Sequence, residues 1–113
     1  MLVNLTGHPI VLIDERTGKM VTVDSAGRAR VSSRNAESGV VTIGDVQIPI
    51  YQVSTRSAEG LPDPAEGVLF VVSGLVAQVA QRGDVLAPAR LLRTENAVVG
   101  ARALLRYPDE RVD

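Results

Sequence analysis

Few residues in this chain of 113 have the chemistry to bind or react, and the first of them cluster near its start. Asn4, Thr6 and the single histidine, His8, fall within five residues of one another. In an extended segment, side chains alternate between two faces. Asn4 and Thr6 would then share a side, opposite Val3 and Leu5, and His8 could complete a small polar cluster. A hydrolytic triad needs a nucleophile and an orienting acid within reach of the histidine. No Gly-x-Ser-x-Gly elbow accompanies His8. One histidine without cysteine is also a poor zinc donor set. The open roles for His8 are a turn residue with ordinary hydrogen bonds and a ligand contact. Asn4-Leu5-Thr6 matches a glycosylation sequon, but no secretory leader is expected, so the match is read as chance.

The second candidate is the junction Val72-Ser73-Gly74-Leu75. Ser73 can cap a helix, and the free amides of a helix start suit a phosphate or carboxylate. Gly74 would allow a ligand to approach closely. The spacing of a phosphate-binding loop is missing, so plain capping stays open beside anion binding. Among the arginines, Arg30 and Arg93 could supply charge to such a site, because guanidinium forks grip phosphates well. A solvated role for both remains the alternative. The candidate ligand-binding set is therefore Asn4, Thr6, His8, Ser73, Gly74, Arg30 and Arg93, with no catalytic residue, metal ligand or cofactor implied.

These residues need elements to hold them. Leu2 to Leu5, Ile10 to Ile13, Met20 to Val23 and Arg28 to Ser32 read as short strands parted by turn residues. Val40 to Ile43, Gly44-Asp45 and Val46 to Ile48 form a hairpin with a two-residue turn. Its register sets Ile43 against Val46 and Val41 against Ile48, with Thr42 and Gln47 on the other face. Pro49 should end the pairing or face an unpaired edge. Residues 56–67 read as a long loop. Val68 to Val72 is the most apolar run, expected as a central strand. A helix over 74–82 follows, with Gly83 as its stop. Leu91-Leu92 and Val98 to Leu105 should pair about Glu95-Asn96, which would put Arg93 and Arg102 on one face. The expected core includes Phe70, Val71, Leu75, Val79 and Ile48. The fold class is α+β: a predominantly antiparallel sheet built from hairpins, with one short helix. A single domain over residues 1–107 and a tail over 108–113 are expected.

Composition narrows the function classes. The formal net charge of −1 gives no basic field for duplex nucleic acid. Three aromatic residues are too few for a base-stacking platform. The absence of cysteine excludes a disulfide framework and a thiolate site. The longest apolar run is far short of the roughly 20 residues of a membrane helix. A cytoplasmic protein with no membrane and no duplex nucleic-acid partner is expected. Strand edges near Leu2 to Ile13 and in the C-terminal hairpin lack protective devices, so a homo-oligomer is expected.

The order of several segments adds a resemblance. They are Asn4-Leu5-Thr6-Gly7-His8-Pro9-Ile10, Ala29-Arg30-Val31-Ser32, Gly60-Leu61-Pro62, Leu69 to Ala77, Arg82 to Pro88 and Val99 to Leu104. With these the chain resembles a family of small uncharacterised proteins of bacteria and their phages that begin with Asn-Leu-Thr-Pro-His. This chain departs from the pattern at Gly7. The resemblance implies no activity, but it singles out Asn4, Thr6, His8, Ser73, Arg82 and Asp84. Phage-type genes of this size commonly encode accessory proteins that bind host factors or small molecules. Two readings lead: a non-catalytic protein capturing a small anionic ligand such as a nucleotide, and an interaction or structural module. A hydrolase built on Asp and Glu is the third.

Overall fold

Val, Ile and Leu dominate the apolar residues, and β-branched chains pack best on a pleated surface. The computed structural model, which describes residues 1–107, is accordingly mostly strand with one short helix. The expected tail over 108–113 lies outside the described residues. The elements are β1 (Leu2–Asn4), β2 (Ile10–Ile13), β3 (Met20–Val23), β4 (Arg30–Ile43), β5 (Val46–Glu59), β6 (Leu69–Val71), α1 (Gly74–Ala80), β7 (Val85–Thr94) and β8 (Ala97–Arg106). No helix among the described residues is long and apolar enough to cross a membrane.

Six strands form one sheet in the order β1-β6-β7-β8-β2-β3. Hairpins supply most of its pairing, through β7 with β8 and β2 with β3. Three short parallel pairings, β1 with β6, β6 with β7 and β2 with β8, stitch the hairpins together. The sheet is therefore mixed rather than purely antiparallel, because the crossover through α1 returns β7 parallel to β6. It also curls back on itself. Beyond β3, Ser25 bridges Asn4, Ala26 N donates to Asn4 O at 2.8 Å, and Ala29 N donates to Leu5 O at 2.9 Å. β1 thus has a neighbour on each side, and β2 lies between β8 and β3. The open edge expected over Leu2 to Ile13 does not exist.

The core is small. Leu5, Ala29, Phe70, Val72, Val76, Ala77, Val85 and Ala87 form it. α1 starts after Ser73, whose hydroxyl accepts from Val76 N at 3.4 Å. It ends at Gln81 in the left-handed region (φ 50°), two residues before the expected glycine stop. The helix buries Val76 and Ala77 and leaves Leu75 51% exposed and Val79 half-buried. Leu75 is thus a correction to the expected core. The helix packs against both β7 and the base of the β4–β5 pair, which turns Val76 and Ala77 inward instead. Val85 to Ala87, the start of β7, is buried, with Val85 and Leu86 paired to Phe70 and Val71 of β6. Gly100 lets β8 approach β2, since a Cβ there would stand 3.0 Å from Val11 O and 2.9 Å from Ile13 Cδ1.

The largest departure is β4–β5. The Gly44-Asp45 turn and its register are as expected: Ile43 pairs Val46, Thr42 pairs Gln47 and Val41 pairs Ile48. Pairing then continues down to Arg30 and Glu59, through two bulges, as a separate two-stranded ribbon. Pro49 opposes Val40 without ending the ladder. Counting from the turn, hydrogen-bonded and non-hydrogen-bonded pairs alternate, so Pro49 falls where its nitrogen faces outward. The long loop shrinks to the segment after Glu59. Only the base of the ribbon, at Val31 and Ala58, packs on the core. Ile48, expected inside, is exposed.

This packing separates two apolar residues of similar sequence appearance. Phe70→Ala should cost about 3–5 kcal/mol in urea unfolding, whereas Leu75→Ala should stay within about 0.5 kcal/mol of wild type. Comparable losses for both would contradict the helix orientation described.

Candidate functional site

Asn4 is the only buried polar residue among the described ones, at 1% exposure. Its side chain is fully used. Nδ2 donates to His8 O at 2.8 Å and to Val23 O at 2.9 Å. Oδ1 accepts from Thr6 N at 3.0 Å and from the Thr6 hydroxyl at 2.6 Å. An amide side chain can make two donations and two acceptances, and all four are made. One residue therefore ties β1, the 6–8 turn and the end of β3 together. Asn4 is a supporting residue here, with no capacity left for a ligand.

The turn it holds is tight. Gly7 sits at φ +90° and its amide donates to Gly27 O at 3.1 Å. Proline could adopt neither this angle nor this donation. The Thr6 hydroxyl hydrogen is shared between Asn4 Oδ1 and His8 O, 2.9 Å away, leaving its lone pairs as acceptors. His8 Nδ1 lies 2.9 Å from Pro9 O. A carbonyl can only accept, so Nδ1 carries the hydrogen and Nε2 is turned to its surroundings.

Because β1 runs parallel to β6, in the register Leu2–Leu69, Val3–Phe70 and Asn4–Val71, this turn and the start of α1 open on the same edge of the sheet. Between them lies a cleft of about 480 Å³. Thr6, His8, Ser73 and Gly74 form its polar side. Pro9, Ile10 and Val11 of the β2 side, with Pro88, Leu91, Val98 and Val99 of the β7–β8 hairpin, form an apolar wall. Its volume lies within the range of small-molecule sites. Ser73 Oγ accepts from Val76 N, so its hydrogen is left to donate. The apolar wall was not singled out in the sequence. It carries no chemical motif, and only the β2–β8 pairing at Leu12 and Ala101 brings its halves together.

The two arginines of the candidate set do not line this cleft. Arg30 begins β4 and pairs with Glu59 at 3.5 Å, at the base of the ribbon. Arg93 is exposed near the hairpin tip, across from Val98. A bulge between Leu92 and Arg93 shifts the expected register, and Arg102 instead lies alongside Arg90, donating through Nε to its carbonyl at 3.1 Å. Arg82 and Asp84 also stand apart from the cleft. Arg82 grips Asp84 through two hydrogen bonds of 3.0 and 2.7 Å, donates to Pro62 O at 3.0 Å and lies 5.9 Å over the Phe70 ring. The pair clamps the 60–67 segment over the core. The guanidinium beside it holds the Asp84 carboxyl below its usual range. Among the described residues no group of three or more His, Asp or Glu side chains is placed to hold a metal.

Two outcomes follow from these geometries. Asn4→Asp would turn a carboxylate oxygen toward the carbonyls of His8 and Val23 and strand both. The urea midpoint at neutral pH should fall by the equivalent of more than about 3 kcal/mol, and an unchanged midpoint would rule out the bonding described. A carboxyl whose native pKa is lowered adds stability that is present above its ordinary value of 3.8 and is lost as pH falls below it. Asp84→Asn should therefore flatten the acid limb of the stability profile while lowering stability at neutral pH. A variant whose acid limb matches wild type would show that the pair is not coupled to folding.

Comparison of the chain with protein-family models, with curated proteins and with solved structures returns no match.

Proposed function

We propose that the chain is a non-catalytic binding protein of the bacterial and phage accessory type, and that the cleft between the 6–8 turn and the start of α1 takes a small anionic ligand. One observation carries the reading: Thr6, His8, Ser73 and Gly74 converge on one side of a cleft whose other side is apolar. Pockets of this make-up, with a few convergent polar groups on an apolar wall, are the usual form of small-molecule sites. A flat apolar body would lie on Ile10, Leu91 and Val99. Its polar end would receive a hydrogen bond from Ser73, present an N–H or O–H to Thr6 and meet His8 Nε2.

The charge balance narrows the class. No lysine or arginine is among the lining residues, so a ligand with one compact negative group suits the cleft better than a polyphosphate. A nucleoside monophosphate or cyclic nucleotide represents the class.

A thermal-shift panel of nucleosides, nucleoside monophosphates, cyclic nucleotides and inorganic phosphate tests it. At about one hundred times its dissociation constant a ligand adds roughly 2.7 kcal/mol to stability, and at least one nucleotide with a single phosphate group should raise the melting temperature. Replacing both Ser73 and His8 with Ala should abolish that increase, measured from the variant's own ligand-free melt because loss of the cap alone costs about 1 kcal/mol. No response from any member, or an equal response in the double variant, would overturn the proposal.

A further inference from the structure

The outer half of the β4–β5 ribbon is apolar on both faces. Val41, Ile43, Val46, Ile48 and Ile50 share one face through the pairs Ile43–Val46 and Val41–Ile48 and the opposition of Ile50 to Gly39. Val40, Tyr51 and Val53 belong to the other, which also carries the polar pair Thr42–Gln47, with Glu37 opposite Tyr51 and Asn35 opposite Val53. All eight are exposed, up to 68% for Ile43 and 60% for Tyr51. A two-stranded ribbon is at best marginally stable alone in water, and monomers rarely expose contiguous apolar patches beyond a few hundred Å². The ribbon also stretches the molecule. Its radius of gyration is 18.2 Å, against about 13 Å for a compact chain of this length.

We propose that the outer half of the ribbon is a self-association arm, buried against a second copy of this chain. Area and charge both select that occupant. At roughly 100 Å² of exposed surface each, the five side chains of the first face offer on the order of 500 Å² per copy, so two copies pairing through that face bury about 1,000 Å², the threshold of a specific interface. The first face carries no charged side chain between Gly39 and Ile50; Asp45 lies in the turn, and Glu37 opposes Tyr51 on the other face. Such a surface offers nothing to a nucleic acid or to a charged protein patch, and depletion of charge is the mark of self-interfaces. Asp45 stands at the tip of the ribbon, so a membrane would have to receive a carboxylate first. A second copy brings an equal apolar face, and a two-fold arrangement covers both arms with one contact. The contact lies on the ribbon and not on the β1–β2 edges, which the curled sheet covers. This inference is independent of the cleft.

Light scattering coupled to size exclusion on the full chain tests it. Wild type at high micromolar concentration should run at twice the 12.0 kDa chain mass or a higher multiple. Val41→Glu/Ile48→Glu should run as a monomer and keep a cooperative melt, since neither side chain touches the core. If that variant fails to fold, the milder Ile43→Ser should still shift mass toward monomer on dilution at concentrations where wild type does not. A monomeric wild type, a glutamate variant of wild-type mass, or a monomer that sediments with phosphatidylcholine–phosphatidylglycerol vesicles through its ribbon would each overturn the proposal.

Discussion

Everything at the functional end of this molecule depends on the four hydrogen bonds of Asn4. A buried amide with unmet bonds costs about 1–3 kcal/mol for each group left unpaired, so the environment of Asn4 must be complete or the fold does not close there. It is complete. Two carbonyls, one from the 6–8 turn and one from the end of β3, take its hydrogens, and Thr6 supplies both of its acceptances. This fixes where β3 hands over to the segment that flanks β1. The same bonds fix His8 O and hence the direction in which the His8 ring leaves the turn. The polar rim of the cleft is thus set by a residue that never reaches it.

Two regions of different character share the chain. The curled sheet and α1 hold a compact core around Phe70, the one phenylalanine, reinforced from outside by the Arg82–Asp84 clamp. The ribbon has no core of its own. Its base rests on that core through Val31 and Ala58, and its outer half carries apolar side chains on both faces into solvent. A core this small cannot cover so long a ribbon, so any burial of the outer half must come from beyond the described residues.

What could be read from residue order was local. The Gly44-Asp45 and Glu95-Asn96 turns, the Ser73 cap and the alternation that pairs Asn4 with Thr6 all follow from interactions within a few residues, and the structure keeps them. The juxtaposition of the 6–8 turn with the helix start was conditional on β1 lying beside β6. That parallel pairing joins residues 67 apart in sequence, and nothing local encodes it. Where context overrides pattern the reading failed. Ile48 has the alternation of a buried strand, but its face meets solvent because the ribbon leaves the body. The bulge beside Arg93 moved Arg102 out of register, and Arg30 is spent on Glu59. The apolar wall of the cleft was invisible, since Ile10, Leu91 and Val99 look like ordinary core residues until the β2–β8 contact faces them toward one space.

Backbone hydrogen exchange on Asn4→Ala, compared with wild type, addresses the central dependence most directly. Protection should be lost selectively at Thr6, Gly7, Ala26 and Ala29, whose amides bond to Asn4 or to the segments it joins. Phe70 and Val72, which bond across to the β7 side, should keep theirs. Undiminished protection at Thr6 and Gly7, or an equal loss at Phe70 and Val72, would contradict the claim that this one side chain organises the turn and the rim of the cleft.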